Sequence, residues 1–160
     1  MQKVNIVCVG KLKERFYTEA AAEYQKRLQR HCRLEITELP EQRLPENPSP
    51  AQIEQALSRE AEAIRGKLSP SAALVAMCIE GETMSSEALA AQMQRWANSG
   101  GSQLTFLIGS SVGLHPSLKA QAALRLSMSP MTFPHHLARV MLLEQIYRSY
   151  QILEGSRYHK

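Results

Sequence analysis

The chain has 160 residues, of which 44% are apolar, so we predict one globular domain that spans residues 1–160. No apolar run approaches the roughly 18 residues of a membrane span, and residues 1–14 lack a signal-peptide pattern, which predicts a cytoplasmic protein with no membrane partner. The formal net charge of +4 is mildly basic, and the complete absence of aspartate excludes a Ser-His-Asp triad, an aspartic dyad and a Walker B aspartate.

Apolar periodicity predicts strands and helices that alternate along the chain. Short apolar runs predict strands at residues 4–9, 34–36, 73–79, 104–108 and 126–128. Helices are predicted at residues 14–30, from a capping box at Ser49 to Gly66, from a cap at Ser85 to Gly100-Gly101, at 116–124 and at 139–154. The alternation predicts an α/β fold, with a mostly parallel sheet flanked by helices.

Two loops follow the last two predicted strands. Residues 109–113 form a glycine turn, Gly-Ser-Ser-Val-Gly, and residues 128–133 form an uncharged loop rich in Met, Ser and Pro. Ligands of open α/β sheets bind beyond the carboxyl ends of strands, where main-chain groups of such loops can hold a neutral ring. Taken alone, however, the glycines fit a simple turn equally well, and the second loop fits a Pro-rich connector. Both phosphate-binding glycine motifs are absent after the first strand, which argues against other nucleotide-using enzymes.

Acidic residues are unevenly distributed. No acidic residue lies between Glu87 and Glu144, an interval that includes both loops. This interval suits an anionic substrate, although buried strands and helices also carry few charges. The three cysteines are widely spaced and the adjacent histidines, His135 and His136, lack chelating spacing, so we predict no metal site.

The chain ends on Arg157, Tyr158, His159 and Lys160. Basic side chains contact phosphates and aromatic rings stack on unpaired bases, so this tail is a candidate RNA-binding arm. The alternative is a frayed terminus, as is usual for chain ends. His135, before the last predicted helix, is assigned either to helix capping or to an RNA contact.

Together these motifs resemble the ribosomal RNA large subunit methyltransferase H family, within the SPOUT methyltransferases. The resemblance runs the whole length of the chain, and the combination is far more specific than any single piece. The matching segments are I-x-x-V-G-K-L-K-E at 6–14, Glu23-Tyr24, the strand and glycine at 74–81, residues 84–90, I-G-x-S-x-G-L-H at 108–115, S-x-M-T-F-P-H at 129–135, R-V-x-L-x-E-Q-x-Y-R at 139–148 and the terminal Y-H-K. Ser110 stands where the family usually has a second glycine, and a serine loses access to some backbone conformations with positive φ.

The resemblance implies an α/β domain with a C-terminal trefoil knot, a homodimer with its site at the interface, and S-adenosylmethionine as cofactor. It also implies methylation at N3 of a pseudouridine in a stem-loop of 23S rRNA, on the assembled ribosome. The positions that match the cofactor site are Met77, Gly109, Met128, Ser129, Pro130, Met131, Thr132 and Phe133.

For this reaction the N3 imide proton must be removed. His159 is the candidate base and Tyr158 the residue that orients the target ring, while His135, Arg139, Arg148, Arg157 and Lys160 are candidates for RNA binding. The arginines are equally candidates for the dimer interface. Two alternatives remain open at this point: a non-catalytic ribosome-binding factor with the same basic surface, and a relative that methylates another RNA.

Overall fold

The structure, a computed structural model, describes residues 1–100 and 103–160. Its strands are β1 (Gln2–Val9), β2 (Cys32–Leu39), β3 (Ala73–Thr83), β4 (Gln103–Ile108) and β5 (Leu124–Ser127). Its helices are α1 (Arg15–Leu28), α2 (Pro50–Arg65), α3 (Ser86–Asn98), α4 (Pro116–Gln121) and α5 (His135–Leu153). The strands form one sheet in the order β2-β1-β4-β3-β5, and every neighbouring pair is parallel. The predicted α/β architecture with a parallel sheet is therefore confirmed.

Helices cover both faces of the sheet, as an all-parallel sheet requires. On β1, Ile6 faces the core beneath α1, α3 and α5, whereas its neighbour Val7 faces the core beneath α2 and α4. Both side chains are at most 1% exposed. This explains why β1 is apolar at consecutive positions, from Ile6 to Val9, rather than at alternate ones, since each buried aliphatic side chain contributes about 1.5–3 kcal/mol. No helix within the described residues is long and apolar enough to cross a membrane.

Local capping signals locate several helix starts correctly. The Ser49 side chain accepts from the backbone N–H of Gln52, and the Gln52 side chain accepts from that of Ser49, which completes the predicted capping box. The Ser85 hydroxyl accepts from the Ala88 N–H at the start of α3. The predicted end of that helix at Gly100-Gly101 involves Gly101, which lies outside the described residues.

Several predicted boundaries were wrong. β2 runs from Cys32 to Leu39 rather than over residues 34–36. β3 continues to Thr83 rather than residue 79, because a register shift between Met77 and Glu82 lets it follow β5 further. α4 ends at Gln121 and β5 begins at Leu124, since β5 pairs with β3 two residues earlier than predicted. Finally, α5 begins at His135, directly after Pro134, rather than at residue 139.

Candidate functional site

A cavity of about 360 Å³ lies at the carboxyl ends of β3, β4 and β5. This volume falls within the range of ligand pockets, about 300–1,000 Å³. The glycine turn at residues 109–113 and the loop at residues 128–133, which we call the Ser/Pro loop, are separate in sequence, and both line this cavity. Of the predicted cofactor positions it is lined by Met77, Gly109, Met128, Ser129, Met131, Thr132 and Phe133, whereas Pro130 is not among the described lining residues.

The glycine turn folds tightly onto itself. The Gly113 N–H donates to the carbonyl oxygen of Ser110 at 2.9 Å, and Gly113 has a positive φ of +87°. A Cβ added at Gly109 would lie 2.3 Å from the carbonyl oxygen of Gly113. A side chain at position 109 is therefore incompatible with the turn, which brings main-chain groups to the cavity wall.

Ser110 is accommodated without a strained backbone. Among the described residues only glycines have a positive φ, so the serine needs no conformation that is reserved for glycine. Its hydroxyl, which is buried, donates to Oε1 of Glu60 at 3.0 Å. The other oxygen of Glu60 accepts from the Gln42 N–H at 2.9 Å. Ser110 thus ties the turn to α2.

Sequence reasoning missed Glu60, although a signal was present. This glutamate interrupts the buried stripe of α2 formed by Leu57, Ala61 and Ile64, and it is only 4% exposed. Burial raises the pKa of its carboxyl group, and the two hydrogen bonds from Gln42 and Ser110 act in the opposite direction. A charged residue inside a helical apolar stripe predicts a buried polar partner.

The Ser/Pro loop is held by its own hydrogen bonds. The Ser127 hydroxyl donates to the carbonyl oxygen of Ser129 at 3.0 Å, and the Ser129 hydroxyl accepts from the Met131 N–H at 3.1 Å. The loop carries no charge and presents Met128 and Phe133 to the cavity. It therefore offers an apolar surface with main-chain donors and acceptors, as a purine ring requires.

Charged residues border one side of the cavity. Lys119 on α4 and Glu80 on β3 both line it and form an ion pair. The hydrogen bond from Lys119 lowers the pKa of the Glu80 carboxyl group. The pair places one ammonium and one carboxylate beside the apolar surface of the Ser/Pro loop.

His135 is placed in the cavity wall by its position at the start of α5. Burial lowers the pKa of its imidazole, and His136 acts in the same direction. Its Nε2 atom is buried and has no hydrogen-bond partner among the described residues. The structure therefore places this histidine with the predicted cofactor positions rather than on an outer surface.

Arg139 lies one turn further along α5 and is only 3% exposed. Its guanidinium donates to Oε2 of Glu38 at 2.6 Å and to the carbonyl oxygen of Gly10 at 3.0 Å. These contacts fasten α5 to the carboxyl ends of β1 and β2. Its assignment to RNA binding is corrected: the side chain is enclosed within the chain and is not presented to an RNA phosphate.

The C-terminal tail docks on α5. The Tyr158 hydroxyl donates to Oε1 of Glu144 at 3.2 Å, and its ring lies edge-on to that of Tyr147, with centroids 4.9 Å apart. The Arg148 guanidinium lies 4.8 Å from the centroid of the Tyr158 ring and is paired with Glu144. Each of these contacts is modest, but together they favour a docked tail over a frayed one.

His159 continues this docking onto α3. Its Nε2 lies 2.5 Å from Oε1 of Glu87, and its Nδ1 lies 3.0 Å from Nη1 of Arg148. The flanking residues Arg157 and Lys160 are exposed. None of the tail residues 157–160 is among the described residues that line the cavity, so one chain does not bring the predicted catalytic and cofactor positions together.

A second cavity of about 410 Å³ lies beside the first and shares Leu126, Ser127 and Met128 with it. Glu144, which holds the tail, lines this second cavity together with Gln145 and Ser86. The Ser86 hydroxyl donates to the Gln145 side chain at 2.6 Å, which links α3 to α5. The end of β5 therefore separates the predicted cofactor cavity from the space beside the docked tail.

Comparisons with known proteins agree with the motifs. A family model described as "Predicted SPOUT methyltransferase" matches residues 2–159. The chain is 46% identical over 160 residues to the ribosomal RNA large subunit methyltransferase H of Desulforamulus reducens, and the match covers 100% of both chains.

Solved structures of the SpoU methyltransferase AviRb from Streptomyces viridochromogenes have TM-scores of 0.46 to this chain. One is 12% identical and is matched over 96% of this chain and 61% of its own; the other, in complex with the cofactor AdoMet, is 11% identical and is matched over 98% and 60%. On the family model and the full-length relative, the chain belongs to the SPOUT methyltransferases, in the ribosomal RNA large subunit methyltransferase H family.

Proposed function

We propose that this methyltransferase uses S-adenosylmethionine to methylate N3 of a pseudouridine in 23S rRNA. The observation that carries the proposal is the meeting of the glycine turn and the Ser/Pro loop in one cavity of about 360 Å³. The relative from Desulforamulus reducens, named for action on large-subunit ribosomal RNA, supports the substrate. We place the reaction on the assembled ribosome, in the cytoplasm, and treat residues 1–160 as one domain.

The described residues fit this cofactor. Gly109 allows the turn to close against the cavity, because a Cβ there would collide with Gly113, and Met128 and Phe133 supply an apolar surface for the adenine. Main-chain groups of residues 128–133 would read the ring edge, and Lys119 would meet a carboxylate. The bound cofactor supplies an electrophilic methyl group on a sulfonium. The chain's own part is to hold both reactants in line and to receive the N3 proton.

We also propose that the active enzyme is a homodimer in which the tail of one protomer completes the site of the other. The support is that, within one chain, the predicted catalytic and cofactor residues lie apart. His159 and Tyr158 contact α3 and α5, while the predicted cofactor positions lie beyond the end of β5. A second protomer would bring the two halves together. Arg148, Arg157 and Lys160 remain our candidates for contacts with RNA phosphates.

The C-terminal trefoil knot belongs to the same proposal. Its support is the order of the sheet, in which β4 and β5 lie on opposite sides of β3. The chain from Ile108 to Leu124 therefore passes across β3. It then returns through the Ser/Pro loop to α5, which packs between α1 and α3.

Two measurements test the proposed function. Calorimetric titration with S-adenosylmethionine should show saturable binding that Gly109→Ala weakens at least about tenfold, whereas Gly66→Ala, where the nearest atom to an added Cβ is 3.4 Å away, should bind normally. Mass spectrometry of rRNA nucleosides from a deletion strain should show loss of N3-methylpseudouridine from 23S rRNA. Normal modification in that strain would reject the substrate, and absence of cofactor binding would favour a non-catalytic ribosome-binding factor.

A further inference from the structure

Both ring nitrogens of His159 are engaged by neighbours whose chemistry fixes the position of the proton. A guanidinium only donates hydrogen bonds, so Nδ1, 3.0 Å from Nη1 of Arg148, must be the accepting nitrogen. The ring proton of the neutral imidazole therefore resides on Nε2. There it points at Oε1 of Glu87, 2.5 Å away. Two side chains thus select one tautomer of the histidine.

We propose that Glu87 is the positioning residue of His159: it holds the Nε2 proton and so leaves Nδ1 as the atom that receives a proton from the RNA base. This rests on the proposed function. The arrangement is a base oriented by a carboxylate, as in other two-residue and three-residue catalytic systems.

Glu87 is rigidly presented for this role. It lies in the first turn of α3, which is capped by Ser85, so its backbone is fixed at the helix start. The hydrogen bond from His159 lowers the pKa of the Glu87 carboxyl group, which keeps it ionised. The Glu87 side chain is 61% exposed, and such surface pairs contribute little to folding. Orientation of the imidazole is the larger consequence of this contact.

Arg148 covers Nδ1 in the docked tail and must turn away before His159 can act. Glu87 and Arg148 contact His159 directly. Arg148 in turn pairs with Glu144, which also accepts from the Tyr158 hydroxyl. An RNA phosphate is the partner that can draw Arg148 from the ring. The N3 proton then passes to Nδ1, the N3 electron pair forms the new bond to the methyl carbon, and the electrons of the broken C–S bond stay on sulfur.

Nuclear magnetic resonance of the full-length protein tests the contact without turnover. The neutral His159 ring, assigned by comparison with His159→Gln, should show the Nε2–H tautomer with a slowly exchanging ring N–H. Glu87→Ala should abolish the protection of that proton, and Glu87→Gln, which keeps an acceptor, should retain part of it. Glu19→Ala, which removes another exposed ion-paired glutamate, should leave the signal unchanged. An Nδ1–H tautomer in the wild-type protein would overturn the proposal.

Kinetics on ribosomes test its consequence. Glu87→Ala should lower kcat about tenfold or more with KM for ribosomes within about twofold, because only the orientation of the base is lost. Glu87→Gln should fall between wild type and Glu87→Ala, and Glu19→Ala should match wild type. An unchanged kcat, or a change in KM alone, would reject the positioning role. A wild-type protein that never methylates rRNA would reject the proposed function and with it this role, even if the ring N–H signal depends on Glu87.

Discussion

The hydroxyl of Ser110 donates to Oε1 of Glu60 across 3.0 Å and joins the glycine turn to the buried face of α2. Both side chains are almost fully enclosed. The contact explains how this chain accommodates a serine directly after Gly109. It also places a titratable group directly behind the predicted cofactor cavity.

Glu60→Gln should stabilise the protein at neutral pH. Burial raises the pKa of the Glu60 carboxyl group above its usual range, so folding favours the protonated form. This favourable contribution to stability is lost as the pH rises through the raised pKa. A neutral glutamine can accept from Gln42 and donate to Ser110. Thermal unfolding should give a higher Tm than wild type at pH 7 and no gain below about pH 4, where Glu60 is protonated in both states. The prediction would be contradicted if the gain in Tm of Glu60→Gln over wild type were larger at pH 4 than at pH 7.

Ser110→Ala should destabilise the protein by about 1–3 kcal/mol, since one oxygen of buried Glu60 loses its donor. Urea unfolding measures the change. In the double variant with Glu60→Gln the loss should be smaller, because a neutral amide is cheaper to leave partly unsatisfied than a carboxylate. Equal losses in both backgrounds would show that the hydrogen bond does not act through the charge of Glu60.

Gly81→Ala should loosen the pairing of β3 with β5. A Cβ at this position would lie 2.8 Å from the carbonyl carbon and oxygen of Arg125, which are backbone atoms and cannot move aside easily. Overpacking of this kind costs about 1–3 kcal/mol. Chemical denaturation should show that loss, and Gly66→Ala serves as the matched control. Full stability of Gly81→Ala would mean that the strand pair shifts freely.

Arg139→Ala should cost roughly 3 kcal/mol of unfolding free energy, near the low end for a broken buried ion pair because Glu38 is 35% exposed. Arg157→Ala, at an exposed position, should leave the unfolding free energy within about 0.5 kcal/mol. Equilibrium denaturation of the two variants provides the comparison. Unchanged stability of Arg139→Ala together with weaker ribosome binding would restore the RNA assignment.

Local sequence signals located most elements because their causes are local. Proline after serine marked the start of α2, and the continuous apolar run at residues 73–79 marked β3. The predicted bounds were wrong where an element is very short or where its end depends on pairing with another strand. α4 has six residues, too few to show a helical period, and the end of β3 depends on its partner β5. The start of α5 was missed although Pro134, a common residue at helix starts, marks it.

The sequence by itself determined the α/β class, the family and the two loops that line the predicted cofactor cavity, since these depend on residue types at fixed spacing. The tertiary structure decided what the charged side chains contact. Arg139 meets Glu38 across 101 positions, and His159 meets Glu87 across 72, so no local pattern reveals either pair. Burial and partner geometry are properties of the packed chain. They show that Arg139, predicted to contact RNA, forms an internal ion pair, and they favour one tautomer of His159, the proposed catalytic base.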